Sequence, residues 1–65
     1  MTRKLLEKMT VEVRVNIELM RGSFRNFPDR RETVRNRAAG YTCALRDAGL
    51  ITDRERQLLY IYITV

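Results

Sequence analysis

The sequence predicts an all-α domain of three helices, two of them joined as an αα-hairpin. Two observations carry this. Val34, Ala38, Tyr41, Leu45 and Ala48 are spaced four, three, four and three, which makes a helical stripe over four turns. The stretch AGLITDRE then holds a stop and a start. Gly49 suits the left-handed position after a helix, with Leu50 as the hydrophobic residue that follows it. Thr52 and Glu55 form a capping box behind Ile51, the staple residue.

Helix one is expected at about 3–21. Thr2 can cap it, LLEKM consists of good helix formers, and Gly22 stands where a terminal glycine belongs. Its second half, VEVRVNIELM, alternates like a half-buried strand. On a helix the same residues make two stripes: Leu6, Met9, Val13, Ile17 and Met20, and beside it Val11, Val15 and Leu19. The structural alternative is an α+β fold that pairs residues 11–19 and 58–65 as strands. RGSFRNFPD, residues 21–29, reads as a loop with Phe24 and Phe27 plugged onto the core.

Helix two is expected at 29–48, with Pro28 suited to its first turn and Asp29 and Glu32 favourable to its dipole. Ala38, Ala39, Gly40 and Ala44 are small enough for another helix to approach. Helix three is expected at 53–62. LLYIYITV has strand-like composition, but stopping a capped helix after one turn would forfeit its nucleation.

Size and composition bound the function. Residues 1–65 form one small domain, whose core supplies roughly 3–5 kcal/mol unless something else helps. The lone Cys43 allows no intrachain disulfide, and the absence of histidine removes the usual zinc ligand sets. A homodimer is therefore expected, formed by the second face of helix one (Val11, Val15, Leu19) and the tyrosine-rich end of helix three (Tyr60, Tyr62). No apolar run approaches the ~18 residues that cross a bilayer. Glu7 and Lys8 interrupt any signal-peptide core, so the expectation is a cytoplasmic chain with no membrane contact.

Without histidine there is no imidazole base and no Ser-His or Cys-His pair, and the three glycines make no phosphate loop. Cys43 reads as a small helix residue lying off the stripe. The chain is expected to be no enzyme and to need no cofactor or metal.

Charge is the informative quantity. The net charge is +5, and residues 21–37 alone hold six arginines against Asp29 and Glu32, which is +4. Arg31, Arg35 and Arg46 fall on one flank of helix two, and Arg30 and Arg37 lie on the other side of its stripe. Arg30, Arg31, Arg35 and Arg37 are thus the expected contacts to an acidic partner or to phosphate. A solubilising face explains the same residues. The hairpin also has small residues before its glycine and a capping threonine after it, as DNA-reading helix-turn-helix motifs do. Against that, Glu55 stands where such a motif has an aliphatic residue, and LLYIYI wants burial.

In size, charge and the hairpin GYTCALRDAGLITDRERQLL, the chain resembles small all-helical accessory proteins of temperate lambda-like phages and plasmids. That resemblance implies an intertwined helical dimer that modulates host physiology or phage development by binding a host or phage protein. A small basic nucleic-acid-binding transcriptional regulator is the alternative.

Overall fold

The computed structural model describes residues 2–65. Among them are four α-helices and no strand: α1 (Thr2–Glu7), α2 (Val11–Asn26), α3 (Arg31–Asp47) and α4 (Asp53–Thr64). A 3-10 turn at Pro28–Arg30 leads into α3. The paired-strand alternative is therefore excluded, and VEVRVNIELM and LLYIYIT are both helical. α2, α3 and α4 pack against one another, and α1 lies on α4.

The first predicted helix is two helices, because Thr10 caps α2. Its hydroxyl oxygen accepts the Val13 N–H at 3.3 Å, with Thr10 in the extended conformation typical of a cap. α1 ends in tightened bonds: Lys8 N–H donates to the Leu5 carbonyl and Met9 N–H to that of Leu6. Thr2, expected to cap the long helix, instead lies within α1.

Gly22 is not a stop. Gly49 is the only described residue with left-handed φ, and α2 runs through Gly22 to Asn26. Most of the expected loop is thus helix, and its Phe24 extends the buried stripe of Ile17 and Met20. The stop comes from Pro28, whose ring disfavours helical geometry at the residue before it. Phe27 accordingly leaves the helix at φ −128°, ψ 82°, and is exposed rather than plugged in.

The hairpin follows its sequence signals closely. Gly49 has φ 77°, its N–H donates to the Arg46 carbonyl at 2.9 Å, and Leu50 N–H donates to that of Leu45 at 3.0 Å. These two bonds are the Schellman pair. Thr52 N–H donates to Glu55 Oε1 at 2.8 Å, and Glu55 N–H donates to Thr52 Oγ1 at 3.1 Å. α4 then continues to Thr64, one half-turn beyond its expected end.

The core takes Leu5 from α1, Ile17, Met20 and Phe24 from α2, Val34, Ala38 and Leu45 from α3, Ile51 from the corner, and Leu59 and Ile63 from α4. Thr42 is fully buried among them, and its hydroxyl donates to the Ala38 carbonyl one turn back, at 2.8 Å. Gly40 is exposed, and a Cβ there would meet nothing within 4 Å. No close helix approach accounts for it.

Candidate interaction surface

The buried stripe of α2 dictates what its opposite face presents. Ile17, Met20 and Phe24 point inward, so Val11, Val15 and Leu19 point outward as a ridge of three residues one turn apart. They are 66 %, 49 % and 64 % exposed. Single exposed apolar residues are ordinary, but three in contiguous register are a face.

On one side the ridge borders a groove between α2 and α3 of about 360 Å³. It is lined by Leu19 and Met20 of α2, by Val34, Arg37 and Tyr41 of α3, and by Arg30 of the 3-10 turn. Asn16 Nδ2 donates to the Tyr41 hydroxyl at 3.2 Å and ties the two helices together at the groove's end. On the other side, the Tyr62 hydroxyl donates to Glu18. Arg21 lies over the Tyr62 ring at 3.9 Å and donates to its carbonyl at 2.9 Å. α4 has no basic residue in its own last turn, so Arg21 supplies the cation that its dipole favours there. The bond to Glu18 and then burial hold the Tyr62 phenol above its ordinary pKa.

The four arginines expected to act together are divided between two places. Arg31 and Arg35 cover the Phe24 ring, with guanidinium carbons 5.1 and 5.3 Å from its centroid, and Arg31 Nε donates to the Phe24 carbonyl at 2.9 Å. Their role includes sealing the core. Arg30 and Arg37 line the groove, with Arg30 5.5 Å from the exposed Phe27 ring. None of the four makes an ion pair with a carboxylate among the described residues. Arg46, placed with Arg31 and Arg35 by spacing, instead binds Asp47 and Asp53 at 3.2 and 2.7 Å. Bonds from Arg56 and Arg46 hold the Asp53 carboxyl below its ordinary range.

Tyr60 and Tyr62 are half-buried against the chain's own core. Through Glu18, Tyr62 reaches the edge of the ridge, whereas Val11, Val15 and Leu19 form its crest. With Tyr41, Asn16, Ser23 and Thr33 complete the groove, and these last three were not singled out as contacts by sequence reasoning. The spacing of Arg30, Thr33, Arg37 and Tyr41, by three, four and four, carries that signal once the opposing helix is known.

Comparison of the chain with protein-family models, with curated proteins and with solved structures finds no match. No helix among the described residues is long and apolar enough to cross a membrane.

Proposed function

We propose that this chain is a non-enzymatic interaction protein of the accessory kind carried by lambda-like phages and plasmids. It acts as a homodimer that occupies a surface of a host or phage protein. The observation that carries the reading is the exposed ridge Val11, Val15 and Leu19 beside an arginine-lined groove. A 65-residue chain has little core stability to spare, and a second copy covering the ridge adds apolar burial. Arg30 and Arg37 then offer guanidinium forks to acidic groups of the partner.

Size-exclusion chromatography with light scattering tests the dimer. The expected mass is twice the 7.7 kDa of one chain, and a folded monomer at high micromolar concentration refutes it. The lack of carboxylate partners for the four arginines favours a second reading, a nucleic-acid-binding regulator. That reading expects retention on arbitrary duplex DNA at low salt, lost steeply as salt rises. No retention at low salt removes it.

A further inference from the structure

We infer that α2 packs antiparallel on α2 of a second copy, about a two-fold axis at Val15, which sets Glu12 opposite the partner's Arg37 and Glu18 opposite the partner's Arg14. The inference rests on the homodimer reading and assigns the geometry of that dimer.

The ridge is symmetric about Val15, with Val11 one turn before it and Leu19 one turn after. Its two flanks differ. On the α3 side lie Glu12, Asn16 and Ser23, and Arg37 of α3 stands beside Leu19 and Met20. On the α4 side lie Arg14, Glu18 and Arg21. A two-fold axis perpendicular to the helices joins like flanks with their direction reversed. It carries Glu12, three residues before Val15, to a level three residues after it on the α3 side, next to Leu19 and Met20, with which Arg37 lines the groove. It carries Glu18 to the level of Glu12 on the α4 side, within reach of Arg14. Both flanks are complementary, twice over by symmetry.

A parallel pair also brings opposite charges together, but it stacks the two arginine windows. Arg21 and Arg25 would then stand level with the partner's Ser23 and Arg30, and both windows of net charge +4 would share one end. The antiparallel pair instead sends Arg21 and Arg25, six and ten residues beyond Val15, to opposite sides of the axis, so each lies roughly 18 and 30 Å along the helix from its copy. Those separations exceed the Debye length of about 10 Å at moderate salt, so that repulsion is screened. The helix dipoles also oppose.

Disulfide trapping in a Cys43→Ser background tests this directly. Val15→Cys is expected to cross-link to itself under mild oxidation. Val11→Cys and Leu19→Cys are each expected to fail alone, because two copies of either lie roughly 12 Å apart along the helix, beyond the ~7 Å limit of a disulfide. Mixed together, those two variants are expected to form the heterodimer. Self-linking of all three at similar rates means a parallel pair and overturns the inference, as does failure of all three in a protein that is dimeric by mass. A monomeric wild-type protein overturns the homodimer reading itself. Charge reversal supplies an independent arm. Glu12→Arg or Arg37→Glu alone is expected to weaken dimerisation about tenfold, and the double variant to recover it. Retention of wild-type affinity by both single variants overturns the Glu12–Arg37 pairing.

Discussion

At the scale of the residue, two positions separate what helps the fold from what merely belongs to it. Gly40 sits in the interior of α3 with helical φ, exposed and free of contacts. It therefore carries the entropic cost of glycine without return. Gly40→Ala is expected to stabilise the protein by about 0.5–1 kcal/mol, read as a rise in the thermal midpoint. A fall would mean that Gly40 serves a contact outside the chain. Tyr62 is the opposite case, with its ring, hydroxyl and carbonyl all engaged. Its phenol is held above the ordinary value of about 10, so the folded state favours the neutral form. That contribution is fully present below the ordinary value and is lost as pH rises through the higher folded one. Tyr62→Phe is expected to cost about 1 kcal/mol at neutral pH and to remove part of the alkaline loss. Denaturant midpoints of both proteins across the alkaline range check this, and parallel curves would contradict it.

At the scale of the element, the corner between α3 and α4 has its turn and caps set by local chemistry, with Ile51 anchoring it in the core. Thr52→Ala leaves the Glu55 N–H without its capping partner and is expected to cost about 1 kcal/mol. For a domain this small that is a fall of roughly 4–8 °C in the thermal midpoint. Thr52→Ser should retain most of the stability, and equal losses in both variants would deny the cap its role. The corner was legible in the sequence because every residue it needs lies between positions 45 and 55: Leu45 and Arg46 accept, Gly49 turns, Thr52 and Glu55 close. The N-terminal half was less legible for the complementary reason. Thr2 and Thr10 are both competent caps, and only the packing of α1 on α4 separates them. A glycine in helical geometry and one at a helix end look alike in sequence, so Gly22 passed for a stop that Pro28 provides through Phe27. The same limit applies to the surface. Val11, Val15 and Leu19 share a face by spacing along one helix. The groove needs the register of α2 on α3, which Asn16 and Tyr41 set from 25 positions apart.

At the scale of the whole molecule, the proposed homodimer makes a specific demand: stability should depend on concentration. If two copies bury Val11, Val15 and Leu19 against each other, association stabilises the folded state by mass action, and the thermal midpoint rises with protein concentration. Leu19→Asp isolates this effect. Leu19 is 64 % exposed in the single chain, so the substitution should change the stability of an isolated monomer by no more than about 0.5 kcal/mol. In the dimer it places two carboxylates in an apolar seam, where unpaired charge is costly to desolvate. The variant is therefore expected to be folded, monomeric by light scattering, lower in thermal midpoint than the wild type at high concentration, and indifferent to dilution. Glu12→Gln offers a milder contrast: it keeps the ridge but removes one flanking charge, so it should weaken association without abolishing it. Circular dichroism melts of the three proteins over a wide dilution series measure all of this at once. A wild-type midpoint that does not move with concentration, and is matched by Leu19→Asp, would mean that the ridge is left for a different partner.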